Sequence, residues 1–416
     1  MFERGVAVIG LGYIGLPTSA VLAGHGMRVV GVDVNPETVS AINAGQAHIV
    51  EPDLDAAVAG AVARGTLRAQ AEMPEADVFL VAVPTPFTEG HQPDLTYVEQ
   101  ATRSLARVLT GGEVVILEST SPPGTTRQMS EWIAQERPDL RLPHAHPDDP
   151  DVHLAHCPER VLPGKILIEL VTNDRLVGGL TPRCAQRAAR LYRRFVRGKV
   201  IVTDAASAEM AKLVENSFRD VNIAFANELA GICEHLDLDV WKIIELANAH
   251  PRVNVLQPGP GVGGHCIAVD PWFIVSAAPE QSQLIRLARE VNDLRPATVV
   301  TQVSAMARTE ATVACLGLAF KPDVDDMRES PAVEIVRLLA EQRPDLRLPT
   351  VEPYAAELPR ALIELDQVSL SELDDALALS DVVLLLVHHQ EFVQLDRARL
   401  KGKQVLDTRG AWREMS

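Results

Sequence analysis

Apolar residues along this chain come in short unbroken runs and in longer helical stripes, and the two alternate. Val6–Ile9 is such a run, the length of a strand buried on both faces of a parallel sheet. Behind it, Gly10-Leu-Gly12-Tyr-Ile-Gly15 opens a helical stretch through Leu22 that ends near His25-Gly26. Pro17 fits that helix because it falls in the first turn, where no intrahelical N–H is needed. A second run, Val29–Val32, ends at Asp33, and Val78–Val83 and Val114–Leu117 are further predicted strands with helical patterns between them. This alternation predicts a doubly wound parallel sheet.

The pattern returns near the C-terminus. Thr312–Leu318 (TVACLGL) resembles the first strand and its glycine turn, Asp381–Val387 echoes Asp77–Val83, and Gln404–Asp407 stands where Val114–Leu117 stood. The second copy keeps Gly317 but lacks the other fingerprint glycines, which predicts a Rossmann-like half with altered binding chemistry. Between the copies, Ala205–His235 has helical periodicity without proline, and Gln283–Leu294 predicts another helix. The predicted fold class is α/β: two Rossmann-like doubly wound parallel-sheet domains joined by a long central helix and a helical domain. The predicted boundaries are 1–203, 204–298 and 299–416.

Composition changes the picture mainly by exclusion. A chain of 416 residues is too long for one core. A formal charge of −17 argues against a nucleic-acid or anionic-membrane partner, and leaves an anionic small ligand only where local Arg and Lys overcome the field. The five cysteines (157, 184, 233, 266 and 315) are scattered and form no C-x-x-C pair, the usage of a reducing compartment. MFERGVAVIG reaches an acid and a glycine too early for a signal peptide, and no apolar run is long enough to span a bilayer. A cytoplasmic protein is expected.

The candidate chemistry starts at the first glycine turn. G-x-G-x-x-G alone is weak, since glycines there can be purely structural, but here it follows a strand, opens a helix and precedes an acid at the end of the next strand. Gly10 and Gly12 permit the tight turn and close approach of a pyrophosphate, Gly15 permits helix–strand packing, and the helix N-terminus favours phosphate. Asp33 is expected to accept from the ribose hydroxyls and repel a 2′-phosphate, which predicts NAD rather than NADP. Thr85, Thr120 and Thr126 follow predicted strands at the edge where ligands sit, and plain turn chemistry explains each of them equally well. Lys212, Asn216 and Arg219 share one helix face. A solvated polar face is the usual reason, but Ala211, Leu213, Val214 and Phe218 flank the set and point to a cleft. Glu159 beside Arg160 is either a surface ion pair or an acid–base group next to a phosphate clamp. His144, His146, Asp148, Asp149, Asp151, His153 and His156 crowd together in a way that invites a metal, yet no regular ligand spacing emerges; a polar surface loop and no metal are expected. In Gly259–Asp270 (GPGVGGHCIAVD), Cys266 follows a glycine-rich loop, a thiol that simple alcohol oxidation does not require.

These stretches together resemble the UDP-glucose/GDP-mannose dehydrogenase family over essentially the whole chain. The resemblance rests on GLGYIGLP at 10–17, AVPTPF at 82–87, ESTSPPG at 118–124, CPERVLPG at 157–164, and EMAKLVENSFRDVNIAFANE at 209–228. It is completed by HPRVNVLQPGPGVGGHCIAVDPWF at 250–273 and LAFKPDVDDMRESPA at 318–332. It implies a two-step NAD-dependent oxidation of a sugar C6 alcohol to a carboxylate, for surface polysaccharide synthesis. The substrate it favours is UDP-N-acetyl-D-mannosamine, with UDP-N-acetylglucosamine, UDP-glucose and GDP-mannose as alternatives. On matching positions Cys266 is the expected nucleophile and Lys212 the acid–base or oxyanion-stabilising cation. Asn216 and Asp270 assist, and Glu159 with Thr120 handles water and protons. Tyr13, Ile14, Asp33, Thr85, Thr126 and Arg328 are expected on NAD. Arg160, Val161, Arg219, His250, Arg252, Gly263, Phe320, Lys321 and Arg413 are expected on the nucleotide sugar. A homodimer is implied, with Arg252 reaching the diphosphate of the neighbouring subunit.

A cysteine at its ordinary pKa is only a few per cent thiolate at neutral pH. Lys212 and the glycine-loop amides favour the anion, whereas Asp270 opposes it unless it pairs with the lysine, so Asp270 is expected to orient Lys212 or a water. Two other readings compete: a two-electron hydroxyacid dehydrogenase, which needs neither Cys266 nor a second Rossmann-like half, and a nucleotide-sugar sensor that binds NAD without turnover.

Overall fold

In a computed structural model, which describes residues 3–88, 90–264 and 266–413, the chain gathers into two compact units. The first holds residues 1–215 and 272–277, the second 216–271 and 278–416. The first is built on a sheet whose described strands are β1 (Val6–Ile9), β2 (Val29–Val32), β3 (Leu67–Gln70), β4 (Val78–Val81), β5 (Val114–Leu117), β6 (His153–His156), β7 (Arg175–Gly179) and β8 (Val200–Asp204). Their order is β3-β2-β1-β4-β5-β6-β7-β8. The apolar runs match these strands because β1, β4 and β5 are buried throughout and β2 is buried at all but Val30, with successive residues facing opposite layers. Val6 and Val8 enter one core while Ala7 and Ile9 enter the other, and helices cover both faces of a parallel sheet.

One neighbour pair departs from the predicted parallel pattern: β6 and β7 are antiparallel, and β8 then runs parallel to β7. A second correction concerns the histidine-rich stretch. His144 lies against Ser130 Oγ at 2.7 Å, and Asp149 and Asp151 pair with Arg141, but His153 and His156 are fully buried strand residues rather than loop residues. Among the described residues no cluster of three or more His, Cys, Asp or Glu is arranged to hold a metal.

The second unit repeats the first on a smaller scale. Strands β9 (Val313–Leu316), β10 (Leu348–Val351), β11 (Val368–Leu370), β12 (Val382–Leu385) and β13 (Gln404–Asp407) follow the order β11-β10-β9-β12-β13, all parallel. The likeness extends to hydrogen bonds. The Arg4 N–H donates to Asp77 at 2.8 Å in one unit, and the Thr312 N–H donates to Asp381 at 2.9 Å in the other. Gly10 and Gly317, at φ +86° and +93°, donate to the last carbonyl of the neighbouring strand, each at 2.8 Å.

The central helix spans Ala205–His235 as its periodicity predicts. The next long helix runs Gln283–Met306, well past the predicted Leu294 and through Pro296. The missing N–H costs one bond, but Val299, Val300 and Val303 beyond it pack into the core against β9 and β12, which outweighs that loss. On the same helix Arg289 is completely buried against Asp220 at 2.5 Å, and Asn292 donates to Asp220 at 2.8 Å. No described helix is long and apolar enough to cross a membrane.

Burial pushes His156 down to about 3 from its ordinary 6.5. A folded-state pKa below the unfolded one stabilises the fold while the ring is neutral, above about pH 6.5, and that contribution is lost as pH falls. His156→Leu should therefore lose less stability than the parent protein between pH 6.5 and about 5. Denaturant midpoints across this range check it, and equal slopes would contradict a core histidine.

Candidate active site

The three fingerprint glycines do different work. A Cβ on Gly10 would lie 2.6 Å from the Ala82 carbonyl oxygen, and one on Gly15 only 1.8 Å from the Gly10 carbonyl oxygen. Both are packing glycines. A Cβ on Gly12 would meet no described atom within 4 Å, so the second glycine faces open space, as a diphosphate approaching the backbone requires. Helix Gly15–Gly24 starts here, with no side chain capping its first turn among the described residues. Tyr13 beside it is exposed and Ile14 half-buried. Asp33 ends β2 with one oxygen accepting from the Leu11 N–H and the other from the Asn35 N–H, both at 2.9 Å. A carboxylate has about four lone-pair sites, so two backbone bonds fix it and leave capacity for ribose hydroxyls. The chain fits NAD.

The loops after β4 and β5 are joined where the Thr85 hydroxyl donates to the Thr120 carbonyl at 2.6 Å. Thr126, expected on the cofactor, is buried, and its hydroxyl donates to Glu209 at 2.6 Å. Glu209 also accepts from the backbone N–H groups of Gly124 and Thr126, at 2.6 and 2.8 Å. It thereby closes the amino end of helix Thr125–Glu136, and burial raises its pKa against those bonds. Sequence reasoning gave Glu209 no role, because a helix cap is sought at the residue just before the helix, and this one comes from 83 positions away. Glu159 is buried and accepts from Arg175 at 3.0 Å and from the Arg160 N–H at 2.6 Å. Arg160 itself pairs outward with Glu215 at 2.6 Å, and Val161 packs at the edge of the core.

On the central helix, Lys212 and Asn216 are half-buried and Arg219 is exposed. The apolar flank differs from expectation: Leu213 is buried, but Val214 and Phe218 are exposed, so the flank is not wholly a cleft wall.

In the second unit Asn216 Nδ2 donates to Asp270 at 2.5 Å. Asn216 is thus one partner of Asp270, the residue expected to orient the lysine or a water. The Cys266 carbonyl accepts from the N–H groups of Val269 and Asp270, at 3.1 and 2.9 Å, so the thiol stands one turn before helix Asp270–Ala277. Cys266 is exposed and the other four cysteines are buried. Burial holds the thiols of Cys157 and Cys315 up at about 12. Gly263 and Gly264 lie against Phe320, their added Cβ atoms falling 3.1 Å from its side chain. Lys321 beside it is half-buried. Arg328, expected on NAD, pairs with Asp326 at 2.6 Å. Arg413 lies over the Trp241 ring, 5.4 Å from its centroid. Exposed His250 accepts from the Arg252 N–H at 3.3 Å.

An open glycine turn followed by an anchored aspartate defines a dinucleotide-binding protein of the NAD kind, and the comparisons with known proteins give its family. The chain matches the UDP-glucose/GDP-mannose dehydrogenase family in three parts: the NAD binding domain at residues 4–196, the central domain at 206–294 and the UDP binding domain at 314–414. An NDP-N-acetyl-D-galactosaminuronic acid dehydrogenase of Ralstonia nicotianae is 56% identical over 98% of this chain and 96% of its own. A UDP-N-acetyl-D-mannosamine dehydrogenase of Escherichia coli is 54% identical over 98% and 99%. The solved UDP-D-ManNAc dehydrogenase of Pyrococcus horikoshii superposes with a TM-score of 0.87 at 38% identity, covering 99% of this chain and 96% of that one. The chain belongs to the UDP-glucose/GDP-mannose dehydrogenase family and is an NAD-dependent oxidoreductase of nucleotide sugars.

The glycine geometry separates two substitutions. Gly12→Ala should leave thermal stability within about 1 kcal/mol and weaken NAD binding at least about tenfold. Gly15→Ala should lower the melting temperature outright, because its methyl group has no room. Melting curves and NAD titrations of both proteins check this, and equal stability losses would contradict it.

Proposed function

We propose that this protein oxidises the C6 hydroxyl of UDP-N-acetyl-D-mannosamine to the carboxylate in two NAD-dependent steps, through a covalent intermediate on Cys266. The observation that carries the reading is the bond from Asn216 to Asp270, which joins the helix bearing Lys212 to the segment bearing the exposed thiol. Residues 1–203 would bind NAD, 204–298 supply catalytic and dimer contacts, and 299–416 hold the nucleotide sugar through Arg413, Lys321, Phe320 and Gly263. Arg160, Val161, Arg219 and His250 would complete that hold, and Tyr13, Ile14, Asp33, Thr85, Thr126 and Arg328 the contacts to NAD.

NAD, when bound, accepts the hydrides. The chain's own groups do the rest. An aldehyde has no hydride to give until a nucleophile adds to its carbonyl, and the Cys266 thiolate does this, forming a C–S bond. Lys212 and Asn216 donate to the oxygen that becomes negative. After the second oxidation the thioester carbon is attacked by water, whose proton passes to Glu159, with Thr120 helping to handle the water. The C–S bond breaks and Cys266 leaves as thiolate. Asp270 keeps Asn216 aimed throughout.

A second substrate reading has its own support, since the Ralstonia relative is named for an N-acetyl-galactosaminuronic acid. Incubation with UDP-N-acetyl-D-mannosamine, its galacto and gluco isomers, UDP-glucose and GDP-mannose, following NADH and product mass, decides between them. The manno substrate should give the highest kcat/KM and two NADH per carboxylate, and a preference for the galacto isomer would replace it. Cys266→Ala should bind NAD normally and make no carboxylate. A rate within about tenfold of the parent would sink the covalent route.

The homodimer has physical support in the second unit. Phe218, Phe225 and Ile232, spaced by seven along one helix face, are 70%, 57% and 47% exposed, and Leu284 and Leu294 on the neighbouring helix are 68% and 64% exposed. Such a stripe is typically covered by a partner. With Arg252 donated across that interface to the diphosphate, Arg252→Ala should raise substrate KM while leaving NAD affinity unchanged. Mixing it with Cys266→Ala should restore part of the activity. Verified subunit exchange without any restoration would make Arg252 a residue of its own subunit's site.

A further inference from the structure

The reversal of β7 leads to a residue that the chemistry above leaves unused. Ala155 stands opposite Gly179 and His156 opposite Gly178. Carried three residues further, the same register sets Glu159 opposite Arg175, and the side chains meet. Arg175 Nη1 donates to Glu159 Oε2 at 3.0 Å, with the two side chains only 2% and 8% exposed. The Arg160 N–H holds the other oxygen at 2.6 Å. Were β7 parallel to β6, its first residue would lie at the opposite edge of the sheet. The reversal brings the guanidinium to the carboxyl edge of β4, β5 and β6, where ligands bind in such sheets.

The groups facing Glu159 are of both signs. From β5 comes Glu118, fully buried, its carboxyl pushed up to about 7 by burial and then by Glu159. Tyr192, from helix Pro182–Tyr192, donates to Glu118 at 2.7 Å. Cys157, directly after β6, is a thiol pushed up to about 12 by burial, and Arg160 turns away to Glu215. Two carboxyls this close do not both ionise readily. The guanidinium and an amide bind Glu159, whereas Glu118 has the phenol. The contacts that suit a carboxylate, a guanidinium and a backbone amide, therefore gather on Glu159.

We infer that Arg175 is a positioning residue of the reaction: it holds Glu159 as an aimed carboxylate, ready to take the proton of the water that hydrolyses the Cys266 thioester. The inference rests on the role proposed for Glu159. No further reactant is needed; oxygen bonds to the acyl carbon, the C–S bond breaks, and one proton moves to Glu159.

The test is the pH profile of kcat for carboxylate release, from about pH 5 to about pH 9, for the parent protein, Arg175→Met, Arg175→Lys and Glu159→Gln. NAD titration and intact-protein mass accompany it. A buried carboxylate without its cation takes up a proton at higher pH. In Arg175→Met the acid limb should move up by about one pH unit or more, with rate recovering at alkaline pH, NAD affinity unchanged, and the Cys266 adduct accumulating at low pH. Arg175→Lys should fall between, and it carries the test if Arg175→Met does not fold. A kcat lowered by one factor at every pH, with the limb unmoved and Glu159→Gln inactive, overturns the inference alone and leaves Arg175 a structural residue. A fully active Glu159→Gln removes the role of Glu159, and the inference with it.

Discussion

In each unit, a carboxylate at the end of the second strand closes the glycine turn behind the first. A buried turn amide must find an acceptor, and in each unit that acceptor is the acid ending the neighbouring strand. Asp33 takes the Leu11 N–H. Glu352 takes the N–H groups of Leu318 and Ala319 at 2.6 and 2.9 Å and also lies 3.2 Å from His389 Nε2. The difference decides what each turn can bind. Asp33 is half-buried beside the open face of Gly12 and has lone pairs to spare, whereas Glu352 is buried and engaged on several sides. The second turn is a structural copy without the means to read a ribose in the same way.

The same economy of carboxylates recurs elsewhere in the first unit. Glu209 closes a helix N-terminus, Glu159 answers a cross-strand arginine, and Glu118 beside it is pushed up to about 7 by burial. Each environment differs, so three acids of the same type do three different things. Burial sorts the thiols too. A buried thiol such as Cys157 resists ionisation, whereas Cys266 is exposed.

Much of this was legible along the chain. The buried strands announce themselves as apolar runs, because a strand covered on both faces has no polar side. The central helix was readable to its ends, from Ala205 to His235, because nothing within it breaks the period. The glycine fingerprint and Asp33 were readable because their spacing is local. The helix beyond Leu294 was not, since Pro296 is a stop signal that only packing against the second core overrides.

What the sequence determined by itself, then, is whatever depends on neighbours within a turn or a strand: the two α/β halves, the dinucleotide turn, and the helix bearing Lys212, Asn216 and Arg219. Tertiary structure alone decided the partners of charged groups far apart in sequence. Glu209 with Thr126, Asn216 with Asp270 and Asp220 with Arg289 are 83, 54 and 69 residues apart. Arg175 faces Glu159 only because one strand runs backward. Local periodicity is the same for a strand run in either direction, and it does not say which buried charge will answer which, because leaving a buried charge unpaired is costly only once the sheet has brought distant residues together.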